Sequence, residues 1–447
     1  MDFKNKKICI IGYGKSGRAA AERLLSAGAI VKVSEARPSP PAPLPGGEGG
    51  IQFEHGGHTT DFCCDADMIV VSPGVHLDIP AIEEAIKRGV PVISEIELAF
   101  QFFSKPVIAV SGTNGKTTTT TLIGEILKNA GLRVAVAGNI GLPLVSIDDS
   151  GLDYIVAEVS SYQLETIDRF RPHIAVLLNL TPDHMERYKT MEAYIAAKKR
   201  LFLNQTPDDL CVFNFDDQLV RQSVEDVVSK KIPFSRSCAV ENGFFVNEGF
   251  AVRLDEHIIE AVFKTKEVKI KGDHNLENAL AAASVAFLCG ISSADITKTL
   301  REFSGVEHRI EFVRSLNGVD FYNDSKATNP DSTVVALKTL SKGNNIVLIL
   351  GGRDKGTDLA DMCDKIVPAA KAIVLIGEAA ERFESELKNH GFQNIRRAPS
   401  IEDAVKLSFS LSGQGDAVLL SPACASFDMF RDFEHRGHVF KEIVNNL

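Results

Sequence analysis

The segment Ser111-Gly112-Thr113-Asn114-Gly115-Lys116-Thr117 offers the sharpest chemistry in the chain. It follows the apolar run Val107-Ile108-Ala109-Val110 and precedes a helical stretch from Leu122 to Lys128. Glycines let backbone N–H groups wrap an anion, and the start of a helix adds partial positive charge. Gly112, Thr113, Asn114 and Gly115 would then cradle phosphates, Lys116 would reach the β- and γ-phosphates, and the Thr117 hydroxyl would join a Mg²⁺. The longer phosphate-loop pattern wants glycine where Val110 stands, so this is the shorter Gly-Thr-x-Gly-Lys-Thr form. The competing reading is a strand-to-helix turn that merely contains Gly-Lys-Thr. Thr118 to Thr121 read by pattern as packing or solvent positions, and Thr118, beside the loop, is counted with the nucleotide residues.

Three further residues could serve the same centre. Glu158 ends the strand-like run Tyr154-Ile155-Val156-Ala157, where a carboxylate can face bound metal and phosphate; otherwise it is an exposed charge at a strand end. His184, in Thr181-Pro182-Asp183-His184-Met185, follows the next strand, and its bland reading is a structural or solvated histidine. Lys198 lies on a helix around Met191 to Leu203, on the same stripe as Met191, Tyr194, Ile195, Leu201 and Phe202. An ammonium on an apolar face is costly unless it is paired, modified, or snorkelling to water with its stem buried.

The two ends of the chain carry their own signals. Gly12-Tyr13-Gly14-Lys15-Ser16-Gly17 follows a strand, and Glu35 lies at the end of the next, near the ribose-binding spacing of a dinucleotide fold. Taken alone, that pattern predicts NAD and an oxidoreductase. Towards the C-terminus, Asn329-Pro330 reads as an N-cap followed by proline at the first helical position, a helix start able to offer N–H groups to an anion. Lys355 follows a second strand, and Ser426 with Phe427 a third, so three loops could converge on one site.

The elements that must position these residues fall into three blocks, as 447 residues suggest. The boundaries drawn are 1–94, 95–305 and 306–447. Strands alternate with helices in each, which predicts an α/β protein with parallel sheets: a Rossmann-like first block, a phosphate-loop ATPase-like middle block, and a Rossmann-like last block. Short alternating runs from Phe244 to Ile270 predict a small β-meander, and Pro38 to Gly50 an irregular loop. A net charge of −10 argues against a nucleic-acid or anionic-membrane binder. Eight cysteines without C-x-x-C spacing suggest neither a disulfide framework nor a zinc site. No signal-peptide pattern and no apolar run of about 18 residues occurs, so a cytoplasmic protein without membrane insertion is expected.

Several segments resemble the Mur ligases, and they span essentially the whole chain. They are the phosphate loop, Gly138-Asn139-Ile140-Gly141, Glu158-Val159-Ser160-Ser161-Tyr162-Gln163-Leu164, Asp183-His184-Met185, Tyr194-Ile195-Ala196-Ala197-Lys198, Gly272-Asp273-His274-Asn275 and His308-Arg309. Asn323-Asp324-Ser325-Lys326-Ala327-Thr328-Asn329 and Ser421-Pro422-Ala423-Cys424-Ala425-Ser426-Phe427-Asp428 look like the member of that family that adds D-glutamate.

The resemblance implies an ATP-dependent ligase that joins D-glutamate to UDP-N-acetylmuramoyl-L-alanine in peptidoglycan precursor synthesis, with two Mg²⁺ and a carbamylated lysine. Lys198 matches that lysine; with Lys116, Glu158 and His184 it makes the implied catalytic set, and Thr117, Glu158, His184 and Lys198 the metal set. Asn275, Asn278, Arg309, Asp324 and Lys326 would join Gly112 to Thr118 around ATP. The first block would bind the UDP-sugar rather than NAD, through Gly14, Lys15, Ser16, Glu35, Arg37, Ser72 and Gly74, with Asn139, Ser160 and His184 from the middle block. Where the family often has Asp-Thr-Arg, this chain has Glu35-Ala36-Arg37, so Ala36 is not carried over. Thr328, Lys355, Ser426, Phe427 and Phe433 would surround D-glutamate, although Phe433 could be simple core. A monomer is expected, with the last block closing over ATP. The rival readings are a folylpolyglutamate synthase-like ligase, which would begin with its ATP domain, a nicotinamide-dependent oxidoreductase, and a nucleotide-gated binding protein without catalysis.

Overall fold

A computed structural model describes residues 2–36, 51–354 and 356–447, apart from the Glu186 side chain. Arg37 and Lys355, and the Pro38–Gly50 stretch, lie outside the described residues. Among those described, the strands form three sheets, and the chain divides into two compact units. The first unit takes residues 1–269 and 273–303, the second 270–272 and 304–447.

The first sheet comprises β1 (Lys7–Ile11), β2 (Ile30–Glu35), β3 (Ile51–His55), β4 (Met68–Val71) and β5 (Val92–Ser94), in the order β3-β2-β1-β4-β5. Every pairing is parallel. β1 and β4 are buried almost throughout, which is why they read as unbroken apolar runs rather than alternating ones. The order reverses at β1, so the loops after β1 and β4 open the crevice where such sheets bind ligands.

In the same unit, the second sheet holds β6 (Val107–Ser111), β7 (Val134–Gly138), β8 (Tyr154–Glu158), β9 (Ile174–Leu177), β10 (Leu210–Asn214), β11 (Lys230–Ser235), β12 (Gly243–Asn247), β13 (Phe250–Asp255) and β14 (Ile258–Lys264). Their order is β14-β13-β12-β11-β10-β9-β6-β8-β7. From β7 to β12 the sheet is parallel, and only β12-β13-β14 is antiparallel. The predicted meander therefore exists, and it extends the main sheet from β11. Periodicity shows hairpins; it does not show which edge they join.

The second unit carries β15 (Glu311–Leu316), β16 (Val319–Asn323), β17 (Ile346–Gly351), β18 (Ala370–Ile376), β19 (Ile395–Arg397) and β20 (Ala417–Leu420), in the order β15-β16-β20-β17-β18-β19. The expectation of a wholly parallel sheet needs correction here, because β15 pairs antiparallel with β16. Asn317 and Gly318, both at positive φ, make a two-residue turn too short for any parallel crossover.

Candidate active site

β9, β6 and β8 are consecutive neighbours, so the loops after them leave the sheet side by side. The loop after β6 is the Gly-rich one, and it leads into the helix Lys116–Asn129. Gly112 (φ 149°) and Gly115 (φ 83°) hold backbone angles that side chains disfavour. A Cβ on Gly115 would lie 2.3 Å from Asn278 Oδ1. The Lys116 ammonium folds back over the loop, donating to the carbonyls of Gly112 at 2.9 Å and Thr113 at 2.7 Å. Thr113 and Asn114 are anchored to the loop after β9. Thr113 Oγ1 donates to Thr181 O at 3.1 Å and lies 3.0 Å from the Tyr194 hydroxyl, while Asn114 N donates to Asn179 Oδ1 at 2.7 Å. From below, Thr119 Oγ1 donates to Asn278 Oδ1, and Asn278 Nδ2 to Asn275 Oδ1, each at 3.2 Å. Thr117 and Thr118 are buried.

Lys198 does not snorkel. Its side chain is buried, and Nζ donates to Gly112 O at 2.8 Å while lying 4.8 Å from the centre of the Tyr194 ring. Burial holds its amine well below the usual lysine range, and the Lys116 charge pushes it the same way, against the opposing pull of Asp183 and Glu158. The helix that carries it ends at Lys199 and continues as a 3-10 turn, Arg200–Phe202, which corrects the single helix expected to Leu203. Glu158 is also buried rather than an exposed strand end. Its Oε1 accepts from Asn139 Nδ2 at 2.8 Å, whereas Oε2 is buried with no hydrogen-bond partner among the described residues. Asn139 N also donates to Glu158 O at 2.9 Å, which brings the Gly138–Gly141 turn onto this carboxylate. Ser160 caps the next short helix in a reciprocal box with Gln163. His184 sits at φ 56°, its ring 4.8 Å from that of Tyr162 and its Nε2 3.4 Å from Asp183 Oδ2.

In the first sheet, Gly14 starts the helix Lys15–Ser26, with Gly14 and Lys15 exposed. Gly17 packs so closely that a Cβ would lie 2.1 Å from Gly12 O. Glu35 is buried, and its Oε2 accepts from Tyr13 N at 2.8 Å. Ser72 Oγ donates to Gly12 O at 2.8 Å, and Gly74 lies in the same turn with open space around it.

In the second unit, β16, β20 and β17 are adjacent, so the loops Asp324–Asn329, Ser421–Asp428 and Gly352–Asp354 also leave side by side. Asn329 caps the helix Pro330–Leu340 by accepting from Ser332 N at 2.9 Å. Asp324 is buried and accepts from Ser421 Oγ at 2.7 Å; burial pushes its carboxyl up to about 7, against the pull of Ser421 and of Arg309. The Lys326 ammonium lies 5.7 Å from the centre of the Phe433 ring, and Phe433 O accepts from Ser325 Oγ at 2.8 Å. Ser426 is buried and Phe427 exposed. The Ser421–Asp428 loop also borders a cavity of about 420 Å³ with Gly377, Arg397, Asp428 and Met429 in its wall, but Thr328, Ser426, Phe427 and Phe433 do not line it.

Three family descriptions match successive parts of the chain: "Mur ligase MurD-like, N-terminal domain" over residues 6–94, "Mur ligase middle domain" over 110–286, and "Mur ligase, glutamate ligase domain" over 308–424. The UDP-N-acetylmuramoylalanine–D-glutamate ligase of Pelotomaculum thermopropionicum is 45% identical, over 100% of this chain and 99% of its own length. The ligases of the same name from Koribacter versatilis and Clostridioides difficile are 44% and 42% identical, each over 100% of this chain and 99% and 100% of their own. The chain belongs to the Mur ligase family. Its fold is the α/β architecture of those ligases. The solved structure of UDP-N-acetylmuramate-alanine ligase from Thermotoga maritima is similar at TM-score 0.59 and 20% identity, covering 99% of this chain and 100% of that one. MurF from the same organism, solved with ADP, gives 0.58 and 17%, covering 100% and 96%.

For a Mur ligase, the donor set beside the loop suits a divalent cation. The Glu158 Oε2, buried without a hydrogen-bond partner among the described residues, is the kind of hard oxygen a divalent cation takes, and the Thr117 hydroxyl belongs to the adjoining helix start. Glu307, His308 and His438 also cluster, but differently. Asn323 Nδ2 lies 2.9 Å from His308 Nδ1, which leaves the proton on Nε2, and the Lys441 ammonium holds Glu307. That group is an ion-paired network rather than a ready cation site. Arg436 is a residue of consequence that escaped the sequence reading. Arg436 is almost fully buried and donates to Ser325 O at 2.9 Å and Cys424 O at 3.1 Å, tying two of the three loops together. The signal was available: like Lys198, it shares a helical stripe with apolar residues, here Phe433, Phe440 and Val444.

Proposed function

We propose that this Mur ligase uses ATP to join D-glutamate to UDP-N-acetylmuramoyl-L-alanine, as its 45%-identical relative is named for doing. The observation that carries the chemistry is the buried Lys198 amine on the phosphate-loop carbonyl of Gly112, within electrostatic reach of Glu158. A carboxylate does not acylate an amine at neutral pH. Its oxygen first attacks the γ-phosphorus of ATP, giving an acyl phosphate and ADP. The D-glutamate nitrogen then attacks the carbonyl carbon, loses a proton, and the tetrahedral intermediate expels phosphate.

The chain's part is to bind, orient and offset charge. Loop N–H groups from Gly112 to Thr118 and the Lys116 ammonium take the triphosphate, with Asn275, Asn278, Arg309, Asp324 and Lys326 completing the ATP set. Thr117, Glu158, His184 and a carbamylated Lys198 would hold two Mg²⁺, which supply positive charge between carboxylate and phosphate. Carbamylation turns the one buried cation of this helix into an anionic oxygen ligand, and its lowered basicity supports that reading, because only a neutral amine adds CO₂. Residues 1–94 take the UDP-sugar end through Gly14, Lys15, Ser16, Glu35, Arg37, Ser72 and Gly74, and Asn139, Ser160 and His184 of 95–305 take the sugar and peptide end. Residues 306–447 take D-glutamate through Thr328, Lys355, Ser426, Phe427 and Phe433. Glu35 would act partly through Tyr13 N–H, which its carboxylate already holds. Among the described residues, no helix is long and apolar enough to cross a membrane. A cytoplasmic monomer belongs to the same proposal.

Phosphate release tests the whole reading. With ATP and Mg²⁺, release should require UDP-N-acetylmuramoyl-L-alanine and D-glutamate together, and L-glutamate should not replace the D-isomer. Release with a folate and L-glutamate instead would keep the ATP core and overturn the substrates.

A further inference from the structure

We propose that Arg187 is a positioning residue that locks the Ser72–Val75 turn of the first sheet to His184 of the second, and so fixes where the UDP-sugar substrate lies relative to the phosphate loop. This rests on the ligase reading above and adds a residue to which that reading gives no role.

The geometry is a chain of directed contacts within the first unit. Arg187 lies one helical turn after His184, and its own N–H donates to His184 O at 3.0 Å. Its side chain is only 10% exposed. Nε donates to Glu165 Oε1 at 3.0 Å, and the two terminal nitrogens donate to Val75 O at 3.2 and 3.3 Å. The guanidinium carbon also lies 4.4 Å from the centre of the Tyr162 ring, the ring that contacts His184. On the far side, Val75 closes a turn by donating to Ser72 O at 2.9 Å, and Ser72 Oγ holds Gly12 O at 2.8 Å. Arg187 therefore holds Glu165, the end of the Ser72 turn and Tyr162 with its side chain and His184 with its backbone, and through Ser72 it is linked to the Gly12 loop.

Only arginine can do all of this at once. A planar fork serves a carboxylate and a carbonyl while its face lies on an aromatic ring, whereas a lysine offers one compact charge. A guanidinium this buried is costly to desolvate, and Glu165 offsets the cost. A simple core position would be met more cheaply by an apolar side chain; what the arginine adds is direction, between segments 112 residues apart.

Initial rates should be measured for the wild type, Arg187→Lys, Glu165→Gln and the double variant, varying each of the three substrates in turn. Arg187→Lys should raise KM for the UDP-sugar by about tenfold while those for ATP and D-glutamate stay within about twofold. Glu165→Gln should give a smaller change in the same direction, and the double variant should be no worse than Arg187→Lys, since both act on one network. Parallel rises in all three KM values, or an unmoved KM for the UDP-sugar in both single variants, would overturn the inference. Wild-type protein that releases no phosphate would sink the ligase reading instead, and this one with it.

Discussion

Lys198 and Glu158 illustrate how a residue's burial decides its chemistry. An ammonium that could have reached water is instead sealed against a backbone carbonyl, and a carboxylate that could have been a solvated strand end has one oxygen without a partner. Each is expensive alone, and a cation held between an anionic Lys198 carbamate and Glu158 would relieve both. Lys198→Ala should therefore lower turnover by about a hundredfold or more without unfolding the chain, with partial recovery in added short carboxylates. Wild-type protein equilibrated with ¹³C-labelled bicarbonate should show a carbamate resonance that Lys198→Ala lacks. Full activity of Lys198→Ala without additives would end the carbamate idea.

At the scale of elements, the glycines of the two nucleotide-type turns do different jobs. Gly115 is needed for its positive φ as well as its room, whereas Gly17 is needed because the helix nearly touches the Gly12 turn. A methyl group at Gly17 meets a backbone oxygen, which no rotamer change can relieve. Gly17→Ala should thus shift the helix Lys15–Ser26 off the sheet, at about 1–3 kcal/mol of stability. KM for the UDP-sugar should rise while that for ATP holds, because the phosphate loop belongs to the other sheet. Calorimetry and steady-state kinetics on the one variant check both halves; an unchanged melting temperature with unchanged KM would show that the close approach is not required.

For the whole molecule, two buried carboxyls set a pH dependence. Burial pushes Glu95 in the first unit and Asp324 in the second up to about 7 each. Unfolded carboxyls titrate near ~4, so between about pH 4 and 7 the folded chain keeps protons that the unfolded chain has lost. Stability from these groups is full below that window, falls as pH rises through it, and is level above 7. Glu95→Gln removes one titration, so its stability relative to wild type should improve by about 1–3 kcal/mol between pH 5 and pH 8. Denaturant melts at the two values read this directly, and parallel curves for variant and wild type would assign the slope to other groups.

Much of this was legible before any coordinates. The buried strands β4 and β20 have the ends their apolar runs predicted, and the Gly-Lys-Thr turn stands between a strand and a helix as expected. These features are local: turn chemistry, caps and runs of apolar residues act over a few residues, so the chain states them outright. What the sequence left open was long-range. Whether Lys198 reached water or Gly112 O depended on a segment 86 residues away, and the edge that the meander joined depended on β11. Arg436 sits on an apolar helical stripe that marked it as buried, but neither it nor Arg187 could be given its partners from the sequence, because Ser325 and Val75 lie 111 and 112 residues off. Burial and register are properties of the packed molecule, so only the tertiary structure could decide which of these charged side chains became parts of a site.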